Sequence, residues 1–364
     1  MNELIIFTGG GTGGHVFPGF AVIEELRDHR LPDVLWLGSR GGIEERLCHE
    51  WGIAFRPIPS GKLRRYLSFK NVSDLFRVGA GVISSLILLS RLKPRVLFSK
   101  GGYVSVPPVI AARLLGVPVV THDSDFDPGL ATRINARFAQ AVLVPYEASA
   151  KFFPEPVRKR VIVTGNPVRR AIREGNAEEG ARILGFAQSR PVVFFVGGSL
   201  GSARLNAAVA SALPQLNERW NVVHQRGDHP EVAPESEMYR SRPFFAQEYA
   251  HILRAADVVI CRAGAGTLWE LAALAKPAIL VPLGSGSSRG DQMRNAAIFE
   301  EAGAAVIIEE SMLEQRLLPL LEKLFADSAR RDSMGSAAFH IGRPDAARVI
   351  ANMLYSFASD PTGS

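Results

Sequence analysis

Apolar positions in this chain come in short unbroken runs rather than in alternation. ELIIF (3–7), VLWLG (34–38), RVLFS (95–99), VPVVTH (117–122), AVLVP (141–145) and VIVTG (161–165) are each of strand length, with stretches of helical length between them. A strand that is apolar at every position is buried on both faces, as in a parallel sheet covered by helices. The pattern therefore predicts an α/β protein with a doubly wound parallel sheet. It then restarts. PVVFFVGGSLGS (191–202) repeats the strand, glycine turn and helix of LIIFTGGGTGG (4–14), and WNVVHQ (220–225), DVVICRAG (257–264), PAILVP (277–282) and AAVIIEE (304–310) continue it. Two Rossmann-like domains are expected, residues 1–164 and 165–340. They join near TGNPVRR (164–170), where Pro167 has no N–H to give a ladder. PDAARVIANMLYSF (344–357) reads as an amphipathic helix. Residues 341–364, that helix and a frayed end, are expected to pack back on the first domain.

A length of 364 residues suits two such domains. No apolar run reaches the roughly 18 residues of a spanning helix. MNELIIFTGG has neither a basic n-region nor a small-residue cleavage site, so no secretory signal is expected. Cys48 and Cys261 are far apart and lack metal-ligand spacing, which points to a reduced, cytoplasmic protein. A net charge of +6 invites nucleic acid, an anionic membrane surface or a phosphorylated substrate. Nucleic-acid module signatures are missing and aromatic content is 8%, so nucleic acid is not an expected partner.

Ligands of open α/β sheets bind beyond the carboxyl ends of the strands, and that is where the chemistry-bearing residues fall. Gly9, Gly10, Gly11, Gly13 and Gly14 crowd the turn after the first strand. Glycines accept positive φ and let main-chain N–H groups approach a ligand, and the following helix turns its positive end into the same space. Such a loop suits a phosphate or diphosphate; a tight packing turn explains one glycine better than five. Gly9, Gly11 and Gly14 also match G-x-G-x-x-G, which makes a dinucleotide-dependent oxidoreductase the competing reading. That reading wants an acid after the second strand, where Gly38-Ser39-Arg40 stands, so NAD fits badly and NADP stays open.

His15 follows the loop, and histidine is the side chain best matched to proton transfer near neutral pH; it acts as base or only orients a substrate. In the second half, Gly264 and Gly266 open a loop, and a helix is expected from about Thr267 with Glu270 in its first turn. A carboxylate there either offsets the macrodipole or takes ribose hydroxyls. Asp123-Ser124-Asp125 is formally a D-x-D, a pattern able to hold a divalent cation.

SGKLRRYLSFK (60–70) carries Lys62, Arg64, Arg65 and Lys70 with no acid, interleaved with Leu63, Tyr66, Leu67 and Phe69. Cations mixed with apolar groups bind anionic lipid, so this stretch reads as an interfacial patch. VISSLILLSRLK (82–93) is expected to be buried.

The motifs GGTGGHVFPG (10–19), KGGYVSVP (100–107), GNPVR (165–169), GGSLGS (197–202), RAGAGTLWE (262–270) and DQMRNA (291–296), in this order over almost the whole chain, resemble the MurG family. These are GT-B glycosyltransferases that move N-acetylglucosamine from UDP-GlcNAc onto lipid I to make lipid II in peptidoglycan synthesis. The resemblance implies two Rossmann-like domains facing across a cleft, the first for the acceptor and the membrane, the second for the donor. It implies that Gly10, Gly11, Gly13, Gly14, Gly101, Gly102, Tyr103 and Ser105 cradle the acceptor diphosphate, and that His15 is the catalytic residue beside the acceptor hydroxyl. On the donor side it implies Thr12, Gly13, Gly14, Arg169, Ser199, Gly264, Ala265, Gly266, Thr267 and Leu268 at the diphosphate and Glu270 at the ribose. Phe245 would lie beside the uracil, with Asp125, Asp291 and Gln292 near the sugar. The implied reaction is inverting and uses neither cofactor nor metal, the charge on UDP being met by helix N-termini and Arg169. The implied partners are UDP-GlcNAc, lipid I and the anionic cytoplasmic face of the cell membrane.

Three positions depart from the family pattern. HEQN is His122-Asp123-Ser124-Asp125; GGSQGA is Gly197-Gly198-Ser199-Leu200-Gly201-Ser202; and the pair opening DQMRNA, usually His-Gln or Gln-Gln, is Asp291-Gln292. All lie near the donor or its sugar, which keeps open a related transferase acting on another lipid such as diacylglycerol. A non-catalytic nucleotide-sugar-binding scaffold is the other alternative, against which the presence of both His15 and Glu270 argues.

Overall fold

The computed structural model describes residues 4–28, 33–61, 69–198, 201–284 and 290–359, with the backbone alone for 69–73 and 75. The chain divides into two compact units, Met1–Arg169 with Asp345–Ser364, and Arg170–Pro344.

The first unit holds β1 (Ile5–Thr8), β2 (Val34–Gly38), β3 (Ala54–Pro57), β4 (Val96–Ser99), β5 (Val119–His122), β6 (Ala141–Val144) and β7 (Val161–Val163). They form one parallel sheet in the order β3-β2-β1-β4-β5-β6-β7. Ile5, Phe7, Trp36 and Phe98 are buried on one face, Ile6, Leu97 and Val142 on the other. Helix Phe17–Asp28 covers the first face through Phe20 and Ile23. Helix Ala346–Ser359 lies beside it and inserts Ile350, Ala351 and Leu354. Each fully buried side chain of this size contributes about 1.5–3 kcal/mol.

The second unit repeats the plan with β8 (Val192–Val196), β9 (Asn221–Gln225), β10 (Tyr239–Arg242), β11 (Val258–Cys261), β12 (Ala278–Leu280) and β13 (Ala305–Ile307). Their order is β10-β9-β8-β11-β12-β13, again all parallel.

The continuous apolar runs all become strands. Two further strands, β3 and β10, were not expected from the sequence. Both are sheet edges, with one side unpaired, and AFRP and YRSR carry the polar residues that an edge tolerates. The stretch 82–93 corrects an expectation. It belongs to helix Phe69–Leu92, which buries Ser85 and Leu89 but exposes Ile83 (61%) and Ile87 (49%).

In each sheet the strand order reverses at one point, between β1 and β4 and between β8 and β11. Outside the carboxyl ends of those strands lies the crevice where such sheets bind ligands. Beyond β1, β4, β8 and β11 the chain continues with Gly9–His15, Lys100–Ser105, Gly197-Gly198 and Arg262–Gly264. The topology thus delivers the four glycine motifs to the two switch points.

Candidate active site

In the first unit the turn after β1 is shaped from beneath. Glu44, in the first turn of helix Ile43–Glu50, is fully buried. Its carboxylate accepts from the Ser39 N–H (2.8 Å), the Ser39 hydroxyl (2.6 Å) and the Gly11 N–H (3.2 Å). A side chain on Gly10 would collide with that carboxylate, and one on Gly102 would collide with the Gly10 carbonyl. A Cβ on Gly9 would come within 3.0 Å of the Lys100 Cβ. Packing therefore accounts for Gly9, Gly10 and Gly102, and the Gly11 amide faces Glu44 rather than a ligand. This corrects the expectation that the glycines as a set lay amides bare. Gly11 is still required by its φ of +87°, as are Gly101 at +79° and Gly102 at +75°.

What the turn does present is exposed Thr12 and Gly14, with Gly13 half-buried between them, entering a short 3₁₀ turn, Gly13–His15. Amides at such a helix start have no intrahelical acceptor and point outward, an anion-binding geometry. His15 is half-buried, and its Nδ1 lies 3.1 Å from the Lys100 carbonyl oxygen. A carbonyl only accepts, so Nδ1 carries the proton and the lone pair is on Nε2. Tyr103 lines the turn, its ring 3.1 Å from where a Gly11 Cβ would be. Ser105 is a correction. Its hydroxyl is buried, donates to the Gly102 carbonyl (2.8 Å) and accepts from the Asn135 amide (2.8 Å), so it braces the turn.

Asp123 spends its carboxylate on the loop that follows, accepting from the Asp125 N–H (3.0 Å) and the Gly129 N–H (3.1 Å). Among the described residues no group of three or more His, Cys, Asp or Glu is arranged to hold a metal ion. Arg169 lies with its guanidinium 4.6 Å from the centre of the Phe17 ring, a cation–π contact.

In the second unit, Ser199 and Leu200 lie outside the described residues. Ser202 caps helix Ala203–Arg219 by accepting from the Leu205 N–H (3.3 Å). Helix Ala265–Ala273 starts after Gly264, two residues earlier than the sequence suggests. Glu270 therefore sits in its second turn, where the macrodipole has faded. The capping account of this carboxylate falls with that. Its proximity to β11 registers on Cys261, whose thiol is pushed up to about 12 by burial and then by Glu270. Gly264 and Gly266 face open space, with nothing within 4 Å of an added Cβ. The first-turn amides of Ala265, Gly266 and Thr267 open onto it. Leu268 is fully buried and contributes only backbone, its N–H donating to the Gly264 carbonyl (3.1 Å).

Phe245 packs inward. Its ring is buried, edge-on to Phe194 at 5.9 Å, and its N–H donates to Gln225 Oε1 (3.1 Å), while Phe244 is 56% exposed. The Gln292 side-chain oxygen accepts from the Leu283 N–H (3.0 Å), which leaves its amide NH₂ to meet a sugar. Asp291 starts helix Asp291–Glu301, with one carboxylate oxygen buried and lacking a hydrogen-bond partner among the described residues. A ligand hydroxyl would satisfy it.

The membrane-patch residues Lys62, Leu63, Arg64, Arg65, Tyr66 and Leu67 lie outside the described residues. Phe69 and Lys70 form the start of helix Phe69–Leu92. Sequence reading missed two residues. Glu44 carried only a helix-start signal, and Lys100 no signal beyond its place in KGGYVSVP.

Residues 5–144 match the model of the glycosyltransferase family 28 N-terminal domain, and residues 192–350 that of its C-terminal domain. A Treponema denticola protein named UDP-N-acetylglucosamine–N-acetylmuramyl-(pentapeptide) pyrophosphoryl-undecaprenol N-acetylglucosamine transferase is 42% identical, over 98% of each chain. A Bacillus cereus protein of the same name, numbered 2, is 43% identical over 88% of this chain and 91% of its own. The crystal structure of Acinetobacter baumannii MurG superposes with a TM-score of 0.75 at 27% identity, covering 97% of this chain and 99% of the other.

Proposed function

The chain belongs to glycosyltransferase family 28, among the transferases named for UDP-N-acetylglucosamine and N-acetylmuramyl-(pentapeptide) pyrophosphoryl-undecaprenol, and on that premise we propose how its residues do this chemistry. It transfers N-acetylglucosamine from UDP-GlcNAc to undecaprenyl-diphosphate-linked MurNAc-pentapeptide, the step from lipid I to lipid II. The dinucleotide reading is set aside with it, since Glu44, the acid that reaches the β1 turn through Gly11, is wholly buried and engaged.

The single observation that carries the residue assignment is the placement of the glycine turns at the two switch points. In the first unit, the outward amides of Thr12, Gly13 and Gly14 take the acceptor diphosphate. His15 Nε2 removes the proton of the muramyl 4-hydroxyl as its oxygen forms the new bond to the anomeric carbon. The bond from that carbon to the diphosphate breaks from the opposite side, with inversion, and UDP leaves. In the second unit, the start of helix Ala265–Ala273 meets the charge growing on that leaving group. Glu270 takes the ribose hydroxyls, and the buried oxygen of Asp291 takes a sugar hydroxyl. Labelled UDP-GlcNAc with a lipid I analogue should give labelled lipid II. Binding of UDP without transfer would leave only a nucleotide-sugar scaffold, and the mechanism would go.

No helix of the described residues is long and apolar enough to cross a membrane. The further reading is peripheral docking on the anionic cytoplasmic face, where the acceptor's lipid resides. Two features support it: the basic, apolar run 60–70, and the helix into which it leads. On that helix Phe76 (76%), Ile83 and Ile87 are exposed at seven- and four-residue spacings, which puts them on one face. Changing the three to glutamine should weaken binding to phosphatidylglycerol-containing vesicles about tenfold or more, since each gives up about 1 kcal/mol of buried apolar surface. UDP affinity should not move. Equal flotation of the variant and the parent would remove this docking face.

A further inference from the structure

Lys100 is 1% exposed and has no carboxylate within hydrogen-bond reach among the contacts of its amine. Its Nζ sits 2.6 Å from His122 Nδ1 and 2.8 Å from Ser124 Oγ. His122 Nε2 is 2.9 Å from the Gly165 carbonyl, so Nε2 carries the ring proton and Nδ1 accepts from Lys100. Ser124 in turn donates to Asn166 Oδ1 (2.6 Å). His122, Ser124 and Asn166 are all buried. Burial lowers the lysine to about 7, against the pull of Asp123 and Asp125, and drives His122 well below its ordinary range. Charged or neutral, the amine keeps the two hydrogens these contacts use.

A buried polar chain this complete fixes its members, because each lost partner leaves another group unsatisfied. What it fixes is the end of β4. The Lys100 N–H donates to the Thr8 carbonyl at the end of β1 (2.8 Å). Beyond Lys100 come Gly101 and Gly102, both at positive φ and without side chains to restrain them. The Lys100 side chain is thus one anchor at the start of a turn that Ser99 also holds, its hydroxyl accepting from the Gly101 N–H (3.2 Å), and the Lys100 carbonyl is the one that holds His15.

We propose that Lys100 is a positioning residue for His15: its buried amine pins the end of β4, and its own main-chain carbonyl then holds the imidazole in the Nδ1–H form with Nε2 as the basic nitrogen. This rests on the reading of His15 as the base.

The test is a double-mutant cycle in the full chain with UDP-GlcNAc and a lipid I analogue. Lys100→Met keeps the stem and removes the amine. It should lower kcat about tenfold, the scale of a modest misplacement of a reacting group, with KM for UDP-GlcNAc within twofold. In a His15→Ala background the same change should alter kcat less than twofold. Nitrogen NMR of the histidine-labelled protein should show the His15 ring leaving the Nδ1–H form in Lys100→Met. An equal fall in kcat in both backgrounds, or none in a protein where His15→Ala is itself slow, would overturn the proposal. Full turnover by His15→Ala alone would overturn the base reading instead, and the ring spectrum would still decide whether Lys100 sets the tautomer. Should Lys100→Met not fold, Ser124→Ala removes one of the two groups holding Nζ. A kcat loss confined to the His15 background supports the proposal, and any other result overturns it.

Discussion

His15→Ala should lower kcat by about two to four powers of ten, the range that a positioned general base contributes. UDP affinity should stay within about threefold, because Glu270 and the start of helix Ala265–Ala273, proposed to hold UDP, belong to the second unit. The physical case is the hydrogen bond from Nδ1 to the Lys100 carbonyl. It puts the lone pair on Nε2, and it holds the ring at the end of the 3₁₀ turn Gly13–His15. A histidine that only oriented the acceptor would give a different signature: KM for the lipid would rise while kcat fell little. The measurement is steady-state kinetics with both substrates varied. A kcat within threefold of the parent would end the role of His15 as base.

The sequence showed the sheets because doubly buried strands are apolar throughout, and Ile5–Thr8 or Val258–Cys261 can hardly be read otherwise. It hid Ala54–Pro57 and Tyr239–Arg242 because an edge strand needs no such run. The glycine motifs were legible because they follow strands directly. What lies around them was not, since it comes from distant segments. Glu44 reaches Gly11 across 33 positions, and Lys100 reaches His15 across 85. The adjacent rings Phe244 and Phe245 show a finer limit, because which of two neighbours turns inward depends on local geometry that composition does not carry. Ser105 was read as a ligand group because its motif matched, and it is the backbone of its own turn that it supports. Gln292 does both: its oxygen holds the Leu283 N–H, which leaves its NH₂ for a ligand.

One departure from the family pattern, His122-Asp123-Ser124-Asp125, surrounds the buried Lys100. Its two acids favour the protonated amine, and His122 Nδ1 and the Ser124 hydroxyl accept from it.

Glu270→Ala should weaken UDP binding about 30-fold or more. A hydrogen bond to a charged group is worth about 1.5–3 kcal/mol. Two ribose hydroxyls share the carboxylate, and each 1.4 kcal/mol is a factor of ten in affinity. Glu270 lies in the second turn of helix Ala265–Ala273, so its charge is not needed to offset the helix start, and alanine is the better helix former. A melting curve measured beside the affinity separates lost recognition from lost folding. The sharper readout compares UDP with 2′-deoxy-UDP by calorimetry. The parent should prefer UDP, and Glu270→Ala should bind the two about equally, because the group that tells them apart is gone. If the substitution weakened both ligands by the same factor, the carboxylate would be acting on the diphosphate end or on the fold, and the ribose assignment would fail.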